Sequence, residues 1–259
     1  MTTTTSNFAR LACAALAAAA TVAGAEPGEG PGAMLRHGNW NQYIGSYQVP
    51  SAWRERPTRS WPMDGWALFV IDAKAATMSV QPLAAADARR QLKPILDQVE
   101  LAKQETKDEP ASAPPGTANQ TFVRVPGLAW QARTVTLYRF RNGTPRLVPA
   151  PGHRYELELA GKPFAFTVRS ERRAPDLVAT RFSLEVDGQR HDYDLSEHGQ
   201  GVRIEAVGDF DGDGQPDFVF SLGGVDIASE DGSDEALVLS SQARPGRNPP
   251  TAALFYGGQ

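Results

Sequence analysis

Four aspartates in the stretch VGDFDGDGQPDFVF, Val207 to Phe220, have the type and the spacing to hold a metal ion. Asp209, Asp211 and Asp213 stand at alternate positions, and Asp217 follows after a Gly-Gln-Pro step, with apolar residues on both flanks. Two carboxylates about 4 Å apart repel by roughly 1 kcal/mol in water and by about 4 kcal/mol at an intermediate effective dielectric. A loop that fixes four of them together therefore calls for a cation. Oxygen ligands at alternate positions of a tight loop can turn toward one centre where glycine lets the backbone curl, and Gly212 and Gly214 permit that. Hard oxygen donors with no histidine or cysteine beside them suit Ca²⁺ rather than zinc or copper. Magnesium stays open as a choice that demands a tighter octahedron and keeps more water. The alternative is an acidic turn that holds no ion, since Asp-Gly-Asp-Gly is turn chemistry in any case.

The flanks decide what kind of loop this is. An EF-hand places a bidentate glutamate at position twelve on an outgoing helix. With Asp209 as position one, position twelve is Phe220, and the flanking runs VRIEAV and DFVFSL have the character of strands. The stretch resembles the calcium loop of FG-GAP repeats and of related exported bacterial (VCBS-type) repeat proteins, in which strand, Asp-rich loop and strand follow in order. The resemblance covers Val207 to Phe220 and little beyond. It implies Asp209, Asp211, Asp213 and Asp217 as side-chain ligands, Gln215 as a backbone-carbonyl ligand, and Ca²⁺ as the ion. In that family the repeats build propeller blades, but this chain has one copy and no repeat period. A complete propeller is not expected.

Other residues with chemical potential read as structural. HDYDLSEHG contains His191, Asp192, Asp194, Ser196 and His198, the letters of a Ser-His-Asp triad, yet triad members normally arrive from separated parts of a fold. In a strand Asp192, Asp194 and Ser196 share one face and His191 takes the other. There is no Gly-x-Ser-x-Gly elbow, His-Glu-x-x-His helix, phosphate loop or dinucleotide fingerprint. His37 and His153 each sit beside a glycine and read as loop residues. A glycosidase-type carboxylate pair stays open, because such partners meet only in the fold. A second acidic run, DIASEDGSDE, offers Asp226, Glu230 and Asp231 as further ligands, or as a solvated loop. Arg54, Arg56 and Arg59 form a basic cluster broken by Pro and Trp, which reads as a solvated face and not as a nucleic-acid surface.

The elements that would carry the loop are mostly strands. GWALFVID and ATMSVQP form one pair, and three hairpins are expected, turning at Asn142-Gly143, Ala160-Gly161 and Asp187-Gly188. Tyr155, Leu157 and Leu159 alternate with Glu156 and Glu158, the pattern of a sheet with one wet side. Helical spacing appears in one place, near 84–105, through Leu92, Ile95, Leu96, Val99 and Ala102, with Pro94 set to kink or divide it. The aromatic group Trp40, Tyr43, Tyr47, Trp53, Trp61 and Trp66 reads as the closing end of a β core, with an exposed glycan or peptide platform as the alternative. The expected fold is mostly β, antiparallel sheets or a sandwich built of hairpins with one short helical segment.

Residues 1–25 read as an export signal: Arg10, an apolar run from Leu11 to Val22, and Ala23 and Ala25 at a cleavage site. Cleavage removes Cys13, the only cysteine, and leaves no segment apolar enough to cross a bilayer. The expected organisation is then a disordered lead over 26–38 and a single β-rich domain over 39–259, with a long loop near 106–120 and the calcium loop at 207–220. Net charge is −4, with the acid concentrated between Asp209 and Glu235. Together these readings predict a periplasmic or secreted bacterial protein, a calcium-binding and non-enzymatic module with a protein or glycan partner and no nucleic acid. A secreted hydrolase acting on carbohydrate or phosphoester, with calcium shaping its cleft, is the alternative. Calcium-dependent assembly is a third.

Overall fold

The computed structural model describes residues 32–36, 53, 56–104, 120–174, 177–196, 201–223 and 234–254. The export signal, Trp40, Tyr43, Tyr47, His37, His198, the loop before residue 120, and Asp226, Glu230 and Asp231 lie outside them.

The first sheet is built from β1 (Gly32–Arg36), β2 (Trp66–Asp72), β3 (Thr77–Pro82), β4 (Gln120–Arg124), β5 (Arg133–Thr136), β10 (Gly201–Gly208), β11 (Asp217–Gly223), β12 (Asp234–Val238) and β14 (Ala252–Leu254). Its order is β10-β11-β12-β14-β1-β4-β2-β3-β5. All pairings are antiparallel except β1 with β14. The two edges nearly meet. Beyond β5 the Leu137 N–H donates to the Ala76 carbonyl (2.9 Å) and the Tyr138 N–H donates to the Val207 carbonyl of β10 (2.8 Å). The sheet is thus close to a closed barrel, which leaves little free edge to pair with other chains.

Period-two alternation decides what fills it. Ala67 and Phe69 of β2, Met78 and Val80 of β3, Val123 of β4 and Leu237 of β12 turn inward and form one buried cluster with Phe210 and Trp130. The intervening Trp66, Leu68 and Phe122 turn outward and are covered by helix α1 (Ala85–Gln104) through Leu92, Ile95, Leu96 and Val99. Trp53 and Trp61 belong to this second cluster, with ring centroids 5.4 Å apart. The Trp61 indole N–H donates to the Trp53 carbonyl and that of Trp66 to the Pro62 carbonyl, both at 2.9 Å. These three tryptophans are core. Arg56 and Arg59 are exposed.

The second sheet holds β6 (Arg154–Leu159), β7 (Lys162–Ala174), β8 (Leu177–Val186), β9 (Gln189–Ser196) and β13 (Arg247–Asn248), in the order β13-β9-β8-β7-β6. Its inner face, Phe164, Phe166, Phe182, Leu184, Tyr193 and Leu195, packs on the outer face of β10, β11 and β12 through Ile204, Phe218, Phe220 and Val238. Two hairpins turn where expected. Ala160-Gly161 and Asp187-Gly188 all have positive φ (50, 82, 51 and 73°), the signature of a two-residue type I′ turn.

Three expectations change. The chain does turn at Asn142-Gly143, with the Gly143 N–H on the Phe140 carbonyl (2.8 Å) and the Phe140 N–H on the Thr144 carbonyl (2.9 Å), but the arms do not go on pairing with each other beyond that turn. Both lie along β10 instead, through Tyr138–Val207 and the Leu147–Ile204 bridge, because that edge offers unpaired backbone groups. Gly32–Arg36, inside the segment read as a disordered lead, is β1 and sits mid-sheet between β14 and β4. Glycine is required at its start, since a Cβ on Gly32 would collide with the Arg124 carbonyl oxygen. Finally, of the two readings of Pro94 the division falls: α1 is one helix that continues through it, so its buried stripe outweighs the backbone hydrogen bond that proline forgoes.

Candidate metal centre

The aspartate loop joins β10 to β11, which pair antiparallel up to Gly208 and Asp217. It therefore begins and ends on adjacent strands of the barrel wall. Phe210 anchors it by entering the barrel interior, fully buried and 6.1 Å from Phe69 between ring centroids. The loop's curl is written locally. The Asp209 carboxylate accepts from the Gly212 N–H (2.6 Å), Asp211 from the Asp213 N–H (3.2 Å) and Asp213 from the Gln215 N–H (2.7 Å). These are successive Asx turns, and Gly212 and Gly214 take φ of 88 and 78° between them.

Three carboxylates converge. Oxygen atoms of Asp209, Asp211 and Asp217 all lie within 4.8 Å of one another. Asp217 has no exposed surface. Its Oδ2 accepts from the Phe210 N–H (2.7 Å), and its Oδ1 from the Ser240 N–H (2.9 Å) and hydroxyl (3.3 Å). Burial, then the Asp211 charge, hold its pKa well above the carboxylate range although those N–H groups favour the charged form. Asp213 lies at the exposed tip, outside the trio, with its Oδ1 on the Gln215 N–H. Desolvation by the surrounding loop, then the Asp211 charge, push it up to about 6. Gln215 turns its side-chain amide away, donating to Asp187 in the β8–β9 turn (2.7 Å). Of the five residues expected as ligands, the fold gathers three side chains.

Several neighbours come from distant segments. Ser240 and Ser241 belong to a 3-10 turn, Ser240–Gln242, that follows β12, and the Ser241 hydroxyl donates to Asp211. The Arg133 guanidinium of β5 lies so close to Gly212 that an added Cβ would collide with it, and the Lys162 ammonium of β7 lies beside Gly214. Crowded acid and attracted cations both mark a site whose negative charge is uncompensated within the loop itself. An oxygen-only donor set with one buried carboxylate fits a hard divalent cation.

The His191–His198 run forms most of β9 and the residues after it. Asp192 accepts from the Ser183 hydroxyl (2.6 Å) and the Arg190 guanidinium (3.0 Å), and Asp194 pairs with Arg247 (2.8 Å). His191 lies opposite Leu184, on the other face from both aspartates. Ser183 of β8 and Arg247 of β13 reach the run only through strand pairing, whereas Arg190 stands two residues before Asp192 on β9 itself.

An open cleft of about 560 Å³ on the second sheet is lined by Tyr138, Arg154, Glu156, Glu158, Glu185 and Asp187 among others. Arg154 ties up Glu185 (2.5 Å) and Glu156 (3.1 Å) as ion pairs. No helix among the described residues is long and apolar enough to cross a membrane. No protein-family model, curated protein or solved structure matches the chain.

Proposed function

We propose that the chain is an exported protein that binds Ca²⁺ in the β10–β11 loop and uses the ion to order that strand-loop-strand unit, as a non-enzymatic binding or envelope-associated module. The convergence of Asp209, Asp211 and Asp217 within 4.8 Å carries the reading. The bound ion would neutralise carboxylates that otherwise repel, and Asp217 gains most because it is buried. Asp213 and Gln215, implied by the FG-GAP resemblance, would sit at the loop tip. Export rests on residues 1–25. A binding role is favoured over a hydrolase because, among the described residues, the cleft lining holds no histidine and two of its four acids, Glu156 and Glu185, are held by Arg154. A protein or glycan partner would meet such an open surface.

The test is a thermal melt of the chelator-stripped chain titrated with Ca²⁺. Extracellular calcium modules have dissociation constants of about 10⁻⁴ to 10⁻³ M. A tenfold excess over that constant stabilises by about 1.4 kcal/mol, a rise of roughly 3–6 °C for a chain of this size. Asp211→Asn should abolish the rise. A wild-type midpoint that ignores Ca²⁺ at ten millimolar order, about 10⁻² M, would remove the metal reading.

A further inference from the structure

The second sheet has two edges, and they are not alike. β13 is two residues long and runs into Pro249 and Pro250, so it offers little to pair with. β6 is six residues long, holds no proline and pairs with β7 without a register shift. Its hydrogen-bond phase follows from the turn that closes it. The two-residue Ala160-Gly161 turn makes Leu159–Lys162 a bonded pair, so bonded pairs recur at Leu157–Phe164 and Tyr155–Phe166. Pro163, which has no N–H, accordingly stands opposite Glu158 at an unbonded pair. The backbone N–H and C=O groups of Arg154, Glu156 and Glu158 therefore point outward, and no strand among the described residues takes them up.

The side chains along this edge discriminate between partners. Tyr155, Leu157 and Leu159 turn inward, half-buried against the core between the sheets, and an incoming strand would cover more of their surface. Arg154, Glu156 and Glu158 turn outward and are exposed. Ala165 stands in register between Glu156 and Glu185, and this small residue leaves room for the cleft beside the edge. Four acids line that cleft against one arginine, and Arg154 is already shared by Glu156 and Glu185. A second copy of β6 fits poorly. Full antiparallel overlap of the outward groups sets Glu156 against Glu156; a shift toward the turn sets Glu156 against Glu158, and the opposite shift shortens the overlap to Arg154–Glu156. Like charges directly opposite destabilise a sheet, whereas lysine or arginine at the same positions attracts.

We propose that the free edge of β6 takes an extended segment of a partner protein as a sixth, antiparallel strand of the second sheet, with lysine or arginine at alternate positions facing Glu156 and Glu158 and apolar residues between them. Main-chain bonds to Arg154, Glu156 and Glu158 supply affinity that does not depend on the partner's sequence. The acidic face then selects basic segments over acidic ones. This rests on the binding-module reading above, whose partner it specifies, and not on the calcium site.

The experiment titrates the full chain into a labelled short peptide of alternating lysine and valine and follows fluorescence anisotropy at low and high salt. The controls are the same peptide with glutamate for lysine, and the same peptide N-methylated at its lysine amides, which would face β6. The lysine peptide is expected to bind wild type, to weaken as salt rises, and to lose about tenfold or more on N-methylation. Glu158→Lys should weaken it about tenfold. Glu156→Pro removes an outward N–H without touching the β7 ladder, and should weaken binding well beyond Glu156→Gln. If Glu156→Pro does not fold, the N-methylated peptide on wild type still decides. Equal binding of the lysine and glutamate peptides, or of the methylated and unmethylated ones, overturns the edge proposal. Self-association of wild type that Glu156→Pro abolishes gives the edge to a second copy and overturns it too. Binding of cellohexaose with none of the peptide overturns it in favour of a glycan and leaves the binding-module reading intact. A chain that binds no peptide or glycan and whose melt ignores Ca²⁺ loses both readings.

Discussion

Replacing Asp217 by Ala removes the acceptor that holds both ends of the loop. The Phe210 N–H (2.7 Å) and the Ser240 N–H (2.9 Å) lose their partner together, and each buried donor left unpaired costs about 1–3 kcal/mol. The gross loss is then about 2–6 kcal/mol. Part is recovered in the metal-free protein, because the substitution also abolishes a buried charge that burial and Asp211 already disfavour. A net loss of about 2–3 kcal/mol remains, or roughly 5–10 °C in midpoint. Saturating the wild type with Ca²⁺ widens the gap by a further ~1.4 kcal/mol at tenfold excess, since the variant has lost a ligand. Urea unfolding with chelator and with Ca²⁺ measures both quantities. Asp213→Ala is the control: its carboxyl lies at the exposed loop tip and its charge is already disfavoured by desolvation and by Asp211, so its metal-free cost should not exceed about 0.5 kcal/mol. If Asp217→Ala costs no more than Asp213→Ala, the buried carboxylate is not the anchor inferred here.

Two other substitutions test the barrel. Glu235 is buried and paired with Arg36; burial outweighs that partner and raises its pKa, with the Glu205 charge adding to the rise. A raised folded-state pKa means that the native state holds the proton more tightly than the unfolded one. The stability contributed by this group is therefore full below the ordinary glutamate range and is lost as pH rises through the folded value. Urea unfolding followed across the acid to neutral range should show a shallower fall for Glu235→Gln than for wild type, and an unchanged slope would refute the assignment. Gly32→Ala forces a Cβ against the Arg124 carbonyl oxygen, where only backbone can yield, and should cost about 2–3 kcal/mol in the same assay.

The loop was legible because its information is local. Alternating aspartates, the glycines between them and the strand-like flanks are contiguous in Val207 to Phe220, and the fold places that stretch between β10 and β11 as a strand-loop-strand unit. The type I′ turns at Ala160-Gly161 and Asp187-Gly188 were legible for the same reason. At Asn142-Gly143 the turn formed, but the partners of its arms did not follow from it, since pairing depends on which edge is free. β1 was hidden because GAMLR is too short to show a period against the Gly and Pro before it; its strand character comes from β4 and β14 on either side.

By itself the sequence determined that this is a mostly β protein with one helical stretch, an acidic loop spaced for an oxygen-ligated cation, and hairpin turns at two defined points. Those properties depend on neighbours along the chain. Tertiary structure alone decided that the first sheet curls until β5 and β10 nearly meet, that Trp53, Trp61 and Trp66 pack beneath α1, and that Asp209, Asp211 and Asp217 converge while Asp213 does not. It also decided that Ser240 and Ser241 face the loop and that Arg133 and Lys162 flank it. The reason is physical: hydrogen-bond register and burial act between segments far apart in sequence, and no local spacing encodes which distant side chain will arrive.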